Sequence, residues 1–154
     1  MNLAPVDRVV LPVLGVPIDV LTTEHALARI GAWAHAHESR VVCLCNVHSV
    51  VTASRDASFL QVVSEADMTA PDGAPVAWML RRQGATQQVR VSGPDLMLAY
   101  CDRLAQTGET IFFYGSTPAT LENLRRRLRE HWPKLRVAGM IAPPFGVEII
   151  MGVL

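Results

Sequence analysis

Residues 110–114, Thr-Ile-Phe-Phe-Tyr, run without a break into Gly115-Ser116-Thr117-Pro118 and then into a stretch of helical period. β-Branched and aromatic residues in an uninterrupted apolar run predict a buried strand. Gly115 and Ser116 turn the chain, Thr117 is placed to cap a helix, and Pro118 suits its first turn. Leu121, Leu124 and Leu128 then form one buried stripe, with Arg125, Arg126, Arg127 and Arg129 mostly outside it. Pro133 ends the helix, and Leu135 to Ile141 reads as the next strand. A strand, a helix and a second strand in so few residues leave room for little but a parallel pair.

The same arrangement recurs upstream. Val41 to Cys45 predicts a strand buried on both faces, with Asn46 directly after it and a helix over His48 to Ser54. Asp56 caps a further helix, Met68 to Ala70 is a short strand, and Pro71-Asp72-Gly73 leads into a helix over Ala74 to Arg82. Gln88 to Val91 reads as a short extended piece, Ser92-Gly93-Pro94 as a turn, and Asp95 to Gln106 as a helix. Nearer the start, Val9 to Asp19 suggests a small hairpin around Gly15, and Thr22 or Thr23 caps a helix running to about Glu38. Strands alternating with helices argue an α/β fold, a mostly parallel sheet with helices on both faces, in one domain over 1–154. The loops after the strands then share one edge, where open α/β sheets bind ligands.

Asn46, Asp72, the segment from Arg90 to Gly93, and Gly115-Ser116 all follow strands, so they are expected to converge on that edge. Asp72 has two readings: an N-cap for the helix beginning at Gly73, or a carboxylate aimed into the crevice as a general base. The loop Gly115-Ser116-Thr117 offers backbone N–H groups and a helix start that favour an anion such as a diphosphate, or is a plain turn. It matches neither GxGxxG nor GxxxxGK[ST], which speaks against a dehydrogenase or a P-loop protein. Arg90 could pair with phosphate or simply be solvated. The Arg125–Arg129 cluster reads as a solvated helix face, with a lipid-headgroup surface as the alternative. Cys43, Cys45 and His48 lack the spacing and the fourth ligand of a zinc site, so no metal is expected and the cysteines read as core.

Bulk properties narrow the class. The formal net charge is zero, so charge gives no argument for nucleic acid. No apolar run approaches the roughly 20 residues that span a bilayer. The first residues lack a signal-peptide pattern. Three sparse cysteines, an odd number, suggest a reducing, cytoplasmic setting. The apolar stretch VEIIMGVL at the C-terminus suggests burial against the body of the domain or a partner, or a chain truncated from something longer, and with the half-hydrophobic composition it suggests a homo-oligomer.

Taken together, "VVCLCNVHSVVTASRD", "ADMTAPDGAPVAWMLRRQG", "VRVSGPDLMLAYCDRL" and "IFFYGSTPATLENLRRRLREHWPKLRVAGMIAPPF" resemble the WecG/TagA/CpsF glycosyltransferases of bacterial surface-polysaccharide and teichoic acid synthesis. The resemblance implies a Rossmann-like fold and inverting transfer from a UDP-sugar to a polyprenyl-diphosphate-linked glycan at the cytoplasmic membrane face, with no metal or other cofactor. By position it implies Asp72 as catalytic base, and Asn46 and Arg90 as substrate-site residues. Gly73, Gly93, Gly115, Ser116 and Thr117 are expected to line the substrate. The family often has Thr where Leu44 stands here. It also continues past the Pro-Pro-Phe segment with a further strand, a Pro-Lys-Gln-Glu-type motif and a basic appendage, so a C-terminally truncated member is expected. The alternatives are an inactive nucleotide-sugar-binding or assembly module, and an unrelated nucleotide-dependent α/β enzyme.

Overall fold

The computed structural model describes residues 8–144. Its packing divides the chain into two compact units, Met1–Leu98 and Ala99–Leu154. Phe145 and the apolar stretch at 147–154, with the burial and self-association read from it, lie outside the described residues.

The first unit opens with a hairpin, β1 (Val10–Val13) and β2 (Val16–Asp19), paired antiparallel with Val13 opposite Val16. Leu14 and Gly15 join them with φ of 50° and 83°. Positive φ at both central residues is the turn that matches the twist of the flanking strands. Helix α1 (Thr23–His35) follows, its first turn closed by the Thr22 hydroxyl, which accepts from the His25 amide at 3.2 Å. It ends three residues before the expected Glu38, where His37 turns back at φ 54°.

Strand β3 (Val42–Cys45) leads into α2 (Val47–Ala53) and α3 (Ala57–Ser64), and the chain returns as β4 (Met68–Pro71). The two strands pair in parallel, Val42 with Met68 through Cys45 with Pro71. Among the described strands, only β4 is buried along its whole length. In β3 Cys45 is buried and Val42, Cys43 and Leu44 are half-buried, so the expectation of a strand buried on both faces fits β4 better than β3. Helix α4 occupies Ala74–Arg82 as expected. The 88–91 segment forms no ladder. It is tied to β4 by one bond, from the Val91 amide to the Pro71 carbonyl at 2.8 Å.

Two buried polar groups hold this unit together. The Asp19 carboxylate, 1% exposed, takes a two-pronged bond from Arg8 at 3.0 and 3.1 Å, another from Arg29 at 3.1 Å, and the Thr69 amide at 2.7 Å. Hairpin, α1 and β4 therefore meet on one side chain. Burial pushes the Asp19 carboxyl up, but the Arg8 guanidinium and the Thr69 bonds outweigh it and hold the group below the usual carboxylate range. Gln88 clamps the chain after β2: its Oε1 accepts from the Leu21 amide at 3.0 Å and its Nε2 donates to the Leu21 carbonyl at 2.7 Å.

Helix α5 (Gly93–Thr107) crosses the boundary between the units. It begins two residues before the expected Asp95, because the Ser92 carbonyl already accepts the Leu96 amide. In the second unit β5 (Thr110–Tyr114), α6 (Pro118–His131) and β6 (Arg136–Ile141) form a β–α–β run with the strands parallel. Leu121 and Leu128 of α6 are buried and Leu124 is half-buried. The expected burial of β5 is corrected: Thr110, Phe112 and Tyr114 are exposed, and only the alternate Ile111 and Phe113 turn inward. An apolar run marks a strand but cannot say how many of its faces are covered. The α/β class stands: among the described residues there are six helices and two parallel strand pairs, the strands forming three two-stranded ladders.

Candidate functional site

The parallel register puts Cys45 beside Pro71, so the next residues on each strand, Asn46 and Asp72, leave the same edge side by side. The Asp72 amide donates to the Cys45 carbonyl at 3.1 Å, which fixes that loop onto β3. Gly73 then takes φ 102° and becomes the N-cap of α4, with no side-chain bond to the helix. Only a residue without Cβ adopts that backbone freely. The reading of Asp72 as the cap is therefore overturned. Its carboxylate, half-buried, holds no hydrogen bond or ion pair among the described residues. A carboxylate fixed by its own backbone and unspent on capping is free to accept a proton from a hydroxyl brought within reach.

Asn46 does cap. Its Oδ1 accepts from the Ser49 amide at 3.0 Å and contacts the Ser49 hydroxyl at 3.2 Å, which starts α2. That orients the amide and leaves its Nδ2 donors for a ligand. Gly93 closes the third side. A Cβ built there would stand 2.8 Å from Leu44 Cδ1 and 4.0 Å from Asp72 Oδ2, so the missing side chain is what lets the α5 start approach the carboxylate. Leu44 gives the edge an apolar wall at the position where a hydroxyl was expected from the resemblance.

The structure thus brings together Asn46, Asp72, Gly73 and Gly93. Arg90 is one residue from Val91, which is bonded to Pro71, yet its guanidinium makes no ion pair with Asp72. It lies 3.9 Å from Asp95, with both side chains well exposed, so that pair is weak and readily exchanged for a ligand anion.

In the second unit, taken by itself, Gly115 and Ser116 carry φ of 125° and 63°. The Gly115 amide is already spent on the Ile141 carbonyl at 2.9 Å, and the Thr120 amide on the Thr117 hydroxyl at 3.2 Å. The Ser116 and Thr117 amides remain for an anion, together with the positive end of α6. A left-handed serine in the turn before a helix is the kind of local strain that clusters at ligand loops.

Among the described residues, no three His, Cys, Asp or Glu side chains gather to hold a metal. Burial first, then the charges of Cys43, Asp19 and Asp72, push the Cys45 thiol up to about 12, which makes it a poor nucleophile. The groups that sequence reasoning missed are Asp19 and Gln88. Asp19 did carry a signal: a lone acid closing an apolar strand, Val16 to Asp19, must find partners or stay out of the core.

The sequence model described as the glycosyl transferase WecG/TagA/CpsF family matches residues 11–150. A Bacillus spizizenii protein named N-acetylglucosaminyldiphosphoundecaprenol N-acetyl-beta-D-mannosaminyltransferase is 29% identical over 87 residues, covering 56% of this chain and 34% of that protein. This chain therefore aligns with about a third of that relative's length.

Proposed function

The chain belongs to the WecG/TagA/CpsF glycosyl transferase family, and on that premise we propose that it transfers a sugar from a UDP-sugar to a polyprenyl-diphosphate-linked acceptor, inverting the anomeric carbon. The Bacillus relative's name points to an N-acetylmannosamine-type donor and an N-acetylglucosaminyl-diphosphate lipid acceptor. Asp72 would take the proton of the acceptor hydroxyl. The acceptor oxygen then bonds to the anomeric carbon as the sugar–phosphate bond breaks, and the electron pair leaves on UDP. One base suffices, because the two bonds lie on opposite faces of the sugar. Asn46 Nδ2 would hold a sugar hydroxyl, and Arg90 would leave Asp95 for a phosphate. The Ser116 and Thr117 amides and the start of α6 suit a diphosphate by themselves. Such a lipid acceptor implies work at the inner face of the membrane as a peripheral protein. Among the described residues no helix is long and apolar enough to cross a membrane.

The observation that carries this reading is the unspent Asp72 carboxylate beside Asn46 at the carboxyl edge of the β3–β4 pair. The test is a transfer assay with a panel of UDP-sugars and a polyprenyl-diphosphate N-acetylglucosamine acceptor. Asp72→Asn should lower turnover by about 10²–10⁴-fold while UDP binding persists. Equal turnover in the two proteins removes the base. UDP binding without any transfer by the unaltered chain would instead mark a nucleotide-sugar-binding module.

A further inference from the structure

The second unit carries a cavity of about 430 Å³ between the last turns of α6 and strand β6. Leu128, Leu135 and Val137 give it an apolar floor, and Arg125, Arg129 and Trp132 stand around it. Trp132 contributes only its ring, because its indole N–H is already donated to Asp102. Arg125, whose side chain is 42% exposed, makes one long ion pair among the described residues, 3.9 Å from its Nε to the exposed Glu122. A pair that long between exposed groups is weak, so the Arg125 guanidinium is readily exchanged from Glu122 to an anion in this cavity. Arg129 lies one turn further along the same helix face and carries no ion pair among the described residues. Between Glu122 and Arg136 six cationic side chains face only two acids, in a chain with zero net charge.

We propose that this cavity and its arginine rim form a docking site for the phosphate headgroup of an anionic membrane lipid. The guanidiniums of Arg125 and Arg129 would take the phosphate, and the apolar floor with the Trp132 ring would take the first carbons below it. Charge complementarity and the mix of cation, indole and aliphatic wall favour a headgroup over a free phosphate, which would leave the floor unused. The inference rests on the peripheral-membrane part of the functional reading and assigns it a surface. It does not depend on Asp72.

The test is co-sedimentation of the full chain with phosphatidylcholine vesicles, with and without phosphatidylglycerol. Binding should require phosphatidylglycerol and weaken as salt is raised. Arg125→Gln with Arg129→Gln should lower vesicle affinity about tenfold or more, at roughly 1 kcal/mol for each cation near the surface. The control pair Arg55→Gln with Arg82→Gln removes the same charge elsewhere and should bind as the parent does. Circular dichroism of both pairs checks folding, and Arg129→Lys, which keeps the charge, should recover most of the binding. Vesicle binding that both pairs weaken equally, or that neither weakens, overturns this site while leaving the membrane reading intact. No vesicle binding by the parent chain overturns the membrane reading and this site with it. Competition by millimolar inorganic phosphate as strong as that by vesicles would make this a small-anion site and overturn the lipid assignment.

Discussion

The two parallel strand pairs solve the same problem with different means. In β3–β4, one strand is buried throughout, and the hairpin, helix α1 and β4 are pinned together at Asp19. In β5–β6, Phe112, Tyr114 and Ile141 are each about half exposed, and apolar packing under α6 does the holding. The carboxyl edges differ to match. One presents a fixed carboxylate and a carboxamide; the other presents the Ser116 and Thr117 amides, with Ser116 in left-handed geometry. Proton transfer needs a group held by rigid surroundings, and the pair with the buried charge hub is the one that carries Asp72. The proposed anion cradle would need only N–H groups and a helix start, and its loop follows a strand of the more open pair.

The hardest blow to this contrast is Asp19→Asn. It leaves Arg8 and Arg29 without their acid and sets an amide N–H₂ among donors. A loss of about 3–5 kcal/mol is expected, read by thermal or urea unfolding. The pH dependence has a definite sign. The folded carboxyl lies below its unfolded value, so its contribution is complete above the unfolded range near pH 4 and fades as pH falls through the folded value. Hydrogen exchange at falling pH should therefore open the first unit before the second. Asp19→Asn should abolish that acid step, and simultaneous opening of both units would break the contrast.

Next is Gly139. A Cβ there would sit 2.5 Å from Phe112 Cε2, at the point where the β5–β6 register shifts. Gly139→Ala should cost about 1–2 kcal/mol, kept modest because the half-exposed Phe112 ring can swing outward. A much larger loss would show the second unit to be as tightly determined as the first. Gly93→Ala is gentler on stability, since its clash is with the far end of Leu44, yet it presses toward Asp72. Turnover should fall about tenfold with stability changed by about 1 kcal/mol. Loss of stability without loss of turnover would detach Gly93 from the site.

Local chemistry was legible in the sequence wherever one residue decides an element. The Thr22, Asp56 and Thr117 caps, the Ala74–Arg82 helix and the β–α–β run all follow from neighbours within a few positions. Asp72 and Asn46 could be placed on one edge because strand ends fix edges. Asp19 and Gln88 were not legible, because their partners lie as far as 50 and 67 residues away. The exposed face of β5 was misjudged for a related reason: whether a second layer covers a strand is decided elsewhere in the chain. The cap at Asp72 failed on a backbone angle, the positive φ of Gly73, which moved the helix start one residue on.

The smallest effects give the finest discrimination. Leu14 and Ser116 both sit in the left-handed region, at φ of 50° and 63°, one in each unit. Asparagine tolerates that region better than either. Leu14→Asn converts the hairpin turn to Asn-Gly and should raise stability by about 0.5–1 kcal/mol, with no change in UDP affinity. Ser116→Asn should give a comparable gain in melting but weaken UDP, because the larger side chain crowds the two amides left for an anion. Strain that serves only a turn can be relieved without loss; strain held on a ligand loop cannot. If Ser116→Asn gains stability and UDP binding is untouched, the Gly115–Thr117 loop is a turn like the one at Leu14, and the division of labour between the two strand pairs fails at its second half.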